Sequence, residues 1–435
     1  MPVVKKTLLI FAIILSLSTI TVYAEDITID AKGAILVDLN SGEVLYEQNA
    51  DDKVYPASLT KLMTALIVME HAALDEVVTV SQSALAGLNP HGSSAGLKVN
   101  EQMTVENMLY CLLLPSGNDA AAVLAEHVAG SIPAFVDLMN QKAKELGCTG
   151  THFENPHGLH SEGHYTTARD VFLITREFVK NEHLFAVSNT VTYVVPPTNA
   201  TSSQRILNST NYLINGNRTI QYLYSPARGI KTGTTTPAGY CLVSAAEKND
   251  MFLISVVMGA SRQAETEKIM SFVETKRLFE WGFRSFARKA LIAAGEPVVE
   301  VPVDMASDVS SVIAVTQSSI EHLLPVDFSA DEVVITPTLD YERLEAPVIK
   351  GQILGEADVA YRGRSYGRVK LVALTGVERS DFLYTMDKVK AIVQTPAFLY
   401  GVLALIGIII LYTVFMVTIN RRKRLRRIRT KGRYL

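Results

Sequence analysis

Tyr55-Pro56-Ala57-Ser58-Leu59-Thr60-Lys61-Leu62-Met63-Thr64 is the stretch on which the reading of this 435-residue chain turns. It opens a run, residues 58–71, that is apolar on nearly every side, and such a pattern predicts a helix buried in the middle of a domain. Residues three apart on a helix share a face, which brings Ser58 Oγ and Lys61 Nζ within hydrogen-bond reach. A serine hydroxyl is a poor nucleophile until a base takes its proton. Lysine serves as that base only where burial or a second cation lowers its pKa from ~10.4. The apolar helix supplies the burial, and its start after Pro56-Ala57 leaves backbone N–H groups facing whatever Ser58 attacks. By itself the Ser-x-x-Lys pattern is expected about once by chance in a chain this long. Its weight depends on its company.

Outward from this helix, residues 104–114 and 119–129 read as two more, broken by Pro115-Ser116-Gly117-Asn118. Such a tight break can project a polar pair into a cleft. Ser131 and Pro133 open a further helix that Gly147 closes. On the N-terminal side, Ala34-Ile35-Leu36-Val37-Asp38 and Val44-Leu45-Tyr46 flank Asn40-Ser41-Gly42, the pattern of a β-hairpin. Beyond residue 185 strands return at 190–195, 238–245 and 251–258, with Lys231-Thr232-Gly233 at the start of a strand. Helical periodicity resumes over 263–286, around the single tryptophan, Trp281. Strands at both ends and helices between them imply a mixed sheet whose terminal parts pair, with a helical block beside it. Residues 290–385 lose the helix signal and read as a separate small β domain.

The ends of the chain place it. Lys5 and Lys6 precede an apolar run that closes at Val22-Tyr23-Ala24, so residues 1–24 read as a secretory signal, with an uncleaved anchor as the alternative. Residues 398–419 are apolar all round, and at 1.5 Å per residue they span the ~30 Å hydrocarbon core of a bilayer. Arg421, Arg422, Lys423 and Arg424 follow at once, and residues 421–435 hold nine Lys or Arg and no acid. The positive-inside rule then assigns the tail, residues 420–435, to the cytoplasm and the body to the extracytoplasmic face of the cell membrane. Without these termini, 30 basic residues face 44 acids, a charge of about −14 on residues 25–420. Nucleic-acid binding needs a basic footprint that such a body lacks. Cys111, Cys148 and Cys241 are odd in number and without metal spacing, which suits buried thiols, although a disulfide between two of them stays open.

Ser-x-x-Lys, Ser-Gly-Asn and Lys-Thr-Gly occur here in the order of the motif set of class A β-lactamases and penicillin-binding proteins. The chain resembles a low-molecular-mass penicillin-binding protein, a serine-type D-alanyl-D-alanine carboxypeptidase. The likeness also takes in Asp119-Ala120-Ala121, Asn155-Pro156-His157-Gly158-Leu159, His164-Tyr165-Thr166-Thr167-Ala168-Arg169-Asp170 and Trp281-Gly282-Phe283. It implies an α+β, serine β-lactamase/transpeptidase-like domain over residues 25–286, with an antiparallel sheet and a helical block, followed by the small all-β domain and the transmembrane helix. It implies hydrolysis of the terminal D-Ala-D-Ala bond of peptidoglycan stem pentapeptides through an acyl-enzyme, with β-lactams as covalent inhibitors and neither cofactor nor metal. Carried onto this chain, Ser58 is the nucleophile, Lys61 the base and Ser116 the relay to the leaving amine. Asn118 holds Lys61 and the substrate amide, Lys231 and Thr232 take the terminal carboxylate, and the N–H groups of Ser58 and Thr234 form the oxyanion hole. Many relatives carry His where this chain has Thr234, Asp where it has Arg228, and, near its Thr266, an Arg that helps with the carboxylate, which leaves Arg228 and Arg262 as the candidates for that part here.

Rival readings attach to particular residues. His157, His160 and His164 raise a zinc peptidase, but the chain has no His-Glu-x-x-His, and the resemblance makes His157 and His164 structural. Ser209-Thr210-Asn211 also fits Ser-x-Asn, yet it lacks a helix break and reads as a surface strand or turn. A β-lactamase would need a hydrolytic glutamate between the second and third motifs, where Glu154 and Glu162 lie. A sensor that only acylates is the last rival, and a basic tail of 15 residues is too short for a signalling domain.

Overall fold

Gly33–Asp38 (β1) is buried along its whole length, and its alternate residues serve two different cores. Ile35 and Val37 face the helical block, whereas Ala34 and Leu36 face a layer built around Phe279 and Trp281. A strand covered on both sides must sit inside a sheet sandwiched between helices. In the computed structural model, which describes residues 27–89 and 92–431, that is its position. The expected signal over residues 1–24 lies outside the described residues.

β1 pairs with Val44–Gln48 (β2), which completes the predicted hairpin. Two short antiparallel pairs decorate the helical side: Val77–Thr79 (β3) with Gln102–Thr104 (β4), and Thr192–Val195 (β5) with Arg205–Asn208 (β6). Ala227–Thr235 (β7), Gly239–Lys248 (β8) and Met251–Ala260 (β9) complete a five-stranded sheet in the order β2-β1-β9-β8-β7. Every pairing in it is antiparallel, so the sheet is not mixed. The N-terminal β1 pairs with the central strand β9, which closes the sheet across the whole helical insertion. Lys231-Thr232-Gly233 sits towards the C-terminal end of β7 rather than at its start, because the strand already begins at Ala227.

The helical face carries Lys61–His71, Val105–Leu113, Asn118–Ala129, Ile132–Glu145 and Ala168–Lys180. Their starts are set by side-chain caps: Thr104 accepts from Asn107 N, Ser131 from Ala134 N and Thr167 from Asp170 N. The opposite face is covered by Met270–Ser285, shorter than the predicted 263–286. Residues 262 and 269 are instead bridged across a turn, and Ile269 N donates to Tyr222 Oη. All three cysteines are buried thiols.

The nucleophile stretch differs from a plain helix. Ala57–Thr60 forms a 3₁₀ turn that leads into Lys61–His71. Residues i and i+3 eclipse in a 3₁₀ turn, so Ser58 still stacks over Lys61. Ala57 enters the turn at φ +48°, a left-handed conformation that is costly for alanine. Thr60 Oγ1 donates to Ala57 O at 2.8 Å, and the backbone of Gly158 presses on the same carbonyl. Gly158 itself sits at φ +84°, and a Cβ there would lie 1.8 Å from Ala57 O.

The remaining chain forms a second compact unit from residue 290 onward, except that 322–328 belong to the first, where Leu323 is buried in the Trp281 layer. The described strands of this segment are Phe286–Ile292 (β10), Pro297–Asp304 (β11), Ser311–Thr316 (β12), Ile320–Pro325 (β13), Val333–Leu339 (β14), Leu344–Glu345 (β15), Ile353–Tyr361 (β16) and Arg364–Ala373 (β17). Six of them make a sheet in the order β14-β16-β17-β12-β11-β15. Strand structure ends at Ala373, and a helix, Asp381–Val393, already begins inside the segment read as all β. The helix Pro396–Lys431 follows, and its apolar side chains, such as Leu403, Ile408 and Leu411, are exposed on every side. Among the described residues it is the one unbroken helix long and apolar enough to cross a membrane.

Gly158 yields a test of how the turn is held. Gly130 is also left-handed, at φ +76°, but a Cβ there meets nothing. Gly130→Ala should therefore cost only its backbone strain, about 1–2 kcal/mol, or a few degrees in Tm. Gly158→Ala adds the collision with Ala57 O and should lower Tm at least twice as far in calorimetry. Equal shifts for the two variants would show that Ala57 is not braced by Gly158.

Candidate active site

Lys61 Nζ is fully buried and lies 3.0 Å from Ser58 Oγ, 2.8 Å from Asn118 Oδ1 and 2.6 Å from the carbonyl oxygen of His157. The last two can only accept, so they take two of its N–H groups. A neutral amine then has its lone pair left for the Ser58 hydroxyl. Burial, then the charge of Lys231, hold the Lys61 pKa well below the usual lysine range, against the opposing pull of Asp119. Burial was expected of this lysine from sequence, and here it has a geometry.

Three segments, besides the loop that carries His157, bring these groups together. Ser116 occupies the helix break in a left-handed conformation, φ +64°, and Asn118 starts the next helix. Asp119 fixes the loop beside it, accepting from the N–H groups of Ala95 and Leu97 and from Ser94 Oγ. Ser116 Oγ is buried with no hydrogen-bond partner among the described residues, and it lines the same cavity as Ser58. Such an unpaired hydroxyl is costly unless something later fills the space.

The third segment is β7, the edge strand of the sheet. One of its edges pairs with β8, and the other leaves backbone N–H and C=O groups for an added extended chain. Gly233 lets β7 approach the nucleophile turn: a Cβ there would be 3.0 Å from Ser58 N and 3.1 Å from Pro56 O. Thr232, Gly233 and Thr234 line a cavity of 200 Å³ together with Ser58 and Ser116. Lys231, the residue before Thr232, is buried, and burial lowers its pKa to about 7. Its described hydrogen bond is to Thr232 O alone, at 3.0 Å.

Some expectations change. Ser209-Thr210-Asn211 is no surface turn. Ser209 and Asn211 are buried, Asn211 Nδ2 donates to Gly229 O, and Thr210 Oγ1 lies 2.6 Å from Thr232 Oγ1 in the cavity wall. The sequence signal for this was the Asn-Ser-Thr-Asn run directly after a strand, but nothing local says which way it folds. Neither guanidinium raised for the carboxylate lines the cavity. Arg228 donates to the carbonyls of Ser225 and Ala227, while Arg262 pairs with Glu267 at the rim. Thr266 bonds Gln263.

The histidines serve the scaffold. His164 Nδ1 accepts from Glu154 N, so its Nε2–H donates to Thr60 Oγ1, which in turn donates to Ala57 O. Burial depresses the His164 pKa to about 4 and that of His157 to about 3, so both are neutral at pH 7. His160 packs edge-on against Tyr55. Among the described residues no three His, Cys, Asp or Glu converge as metal ligands. Glu154 bonds Ser161 and Glu162 bonds Tyr55, and neither lines the Ser58 cavity.

Known proteins share this architecture. The family described as D-alanyl-D-alanine carboxypeptidase matches residues 19–262, and the penicillin-binding protein 5 C-terminal domain matches residues 286–379. The D-alanyl-D-alanine carboxypeptidase DacC of Escherichia coli is 34% identical over 372 residues, covering 82% of this chain and 86% of its own. DacF of Bacillus subtilis is 32% identical over 359 residues, 81% of this chain and 87% of its own. The crystal structure of penicillin-binding protein 5 from Haemophilus influenzae superposes with a TM-score of 0.58 at 31% identity, covering 81% of this chain and 99% of that one. The chain thus belongs to the D-alanyl-D-alanine carboxypeptidase family of low-molecular-mass penicillin-binding proteins and is a serine-type enzyme of D-Ala-D-Ala cleavage.

Proposed function

We propose that Ser58, Lys61, Ser116, Asn118, Lys231, Thr232 and Thr234 carry this cleavage on peptidoglycan stem pentapeptides. The observation that carries the assignment is the fixed, buried contact of Lys61 Nζ with Ser58 Oγ. The peptide lies along the free edge of β7, its terminal carboxylate at Lys231, Thr232 and Thr210. Its scissile carbonyl oxygen faces the N–H groups of Ser58 and Thr234. Neutral Lys61 takes the Ser58 proton as Oγ attacks the carbonyl carbon. The N–H pair stabilises the oxyanion, and each such donor contributes about 10²–10³ in rate. When the C–N bond breaks, the proton passes through Ser116 to the amine of departing D-alanine. Water, deprotonated by Lys61, then cleaves the ester and restores Ser58. A β-lactam ring places its amide and carboxylate on the same groups and acylates Ser58. No carboxylate lines the cavity among the described residues, which supports a long-lived drug ester rather than its rapid hydrolysis.

The apolar helix Pro396–Lys431, with Arg421 to Arg424 after its apolar part, anchors the chain. We read it as a single span with the catalytic unit outside and the C-terminus in the cytoplasm. A C-terminal fusion to a phosphatase that matures only after export should be inactive, and a fusion to a cytoplasmic fluorophore bright. The opposite pair of results refutes this orientation.

Two experiments test the chemistry. The full chain in detergent should release D-alanine from a pentapeptide ending in D-Ala-D-Ala, and Ser58→Ala should lower the rate by at least about 10⁴. Rapid penicillin turnover with no D-alanine release would overturn the reading. The pH profile is the second test. Lys61 must be neutral, so kcat/KM rises with pH through the depressed pKa of that residue. Lys231 must be charged, so the rate falls above about pH 7 as its proton is lost. The bound carboxylate favours the charged Lys231, and the alkaline limb of kcat should therefore lie above that of kcat/KM. Because the two lysines interact, both limbs belong to the pair. Lys231→Gln should abolish the alkaline limb.

A further inference from the structure

A second cavity, of 270 Å³, lies on the other side of the nucleophile turn, and the cleavage chemistry does not use it. Its wall is shared with the active site. Tyr55, three residues before Ser58, lines the second cavity, whereas Ser58 lines the first. Pro237 and Ala238, at the tip between β7 and β8, line the second, while Tyr240 and Cys241 line the first. Cys241 Sγ, 3.9 Å from Tyr55 O, joins the two walls.

The lining is largely apolar, from Val54, Tyr55, Tyr165, Pro237 and Ala238, and carries charges of both signs. Lys32 reaches the rim with Nζ 3.4 Å from Pro237 O, and Lys53 Nζ sits 4.1 Å above the Tyr165 ring. Glu162 faces them as the single carboxylate of the lining. It is held from two sides, by Tyr55 Oη at 3.1 Å and His160 Nε2 at 3.5 Å. The tyrosine rings suit an aliphatic stem, the lysines a carboxylate and the glutamate an ammonium.

The direction of the substrate selects which residue arrives there. With the carboxylate at Lys231 and Thr232 and the scissile carbonyl at Thr234, the peptide runs towards its own N-terminus past Thr235 to Pro237. Tyr55 and Ser58 are three residues apart, so their Cα atoms are separated by at most about 11 Å. One extended residue of about 3.4 Å plus a side chain of four or five carbons covers a similar distance. We propose that this cavity is a specificity subsite for the residue immediately before D-Ala-D-Ala, and that it selects a side chain ending in both an ammonium and a carboxylate. The inference rests on the proposed orientation of the peptide on β7. Lys53 and Glu162 are specificity residues in it and touch none of the reacting atoms.

The test compares acetyl-X-D-Ala-D-Ala peptides on the full chain in detergent, with X as meso-diaminopimelate, L-lysine or L-norleucine. We expect kcat/KM to be several-fold higher for diaminopimelate than for norleucine, the scale that exposed ion pairs allow, with lysine close to norleucine because two cations oppose it. Glu162→Gln should lower the rate for diaminopimelate several-fold and leave norleucine unchanged. Lys53→Met should also lower diaminopimelate, and it should raise lysine. Equal kcat/KM for the three peptides, or variants that scale all three alike, overturns the subsite while leaving the cleavage reading intact. Release of D-alanine from none of them overturns the reading of the site itself, and the subsite with it. High salt should erase the preference for diaminopimelate, and a preference that survives it counts against ion pairing.

Discussion

A lysine ammonium removed from water has few ways to be stable, and the site depends on how Lys61 meets that constraint. Its Nζ is enclosed by the Ser58 hydroxyl, the Asn118 amide oxygen and the His157 carbonyl. Two of these accept only, and the third can donate, so the neutral amine satisfies every contact while the charged one lacks solvation. The buried charge of Lys231 adds to the same bias. The lowered pKa of Lys61 is therefore a property of the enclosure. The enclosure draws on the nucleophile turn, the helix break and the 155–158 loop together.

Backbone strain marks where those parts meet. Ala57 and Ser116 are both left-handed without being glycine, and both adjoin the reacting groups. Strain of this kind persists only where surroundings over-determine it. For Ala57 the surroundings are the chain from Glu154 N through His164 and Thr60 to its carbonyl, together with the close backbone of Gly158. A neutral His164 is essential to that chain, since a second ring proton would leave no acceptor for Glu154 N. Asp119 does the corresponding work near Ser116 by holding the 94–97 loop.

The sheet contributes an edge. β7 ends the order β2-β1-β9-β8-β7, and its unpaired side offers an extended peptide the hydrogen bonds a neighbouring strand would have made. A helix cannot offer this, because its backbone groups are already used. The same edge gives the substrate a direction, and that turns two cavities with a common wall into successive positions along one peptide. The apolar helix meets a different requirement. A helix whose apolar side chains are exposed on every face suits lipid rather than water, which is consistent with membrane anchoring.

Patterns of local chemistry were legible without coordinates. The hairpin, the capped helices, the apolar C-terminal span and the three motifs in order all follow from spacing and residue type, because each is decided within about a dozen neighbours. The 3₁₀ turn at Ala57–Thr60 was not, since it depends on Gly158, a hundred residues away. Neither was Thr210, whose place beside Thr232 is set by where the strand Arg205–Asn208 delivers it. The sequence offered Arg228 and Arg262 for the carboxylate, and the fold turned both to other partners. It also carried no trace of residues 322–328 returning to the first unit. Sequence by itself determined which groups can react, for that is written in side-chain identity and short-range periodicity. Only the tertiary structure decided which of them meet, because distances between remote segments follow from packing and sheet closure.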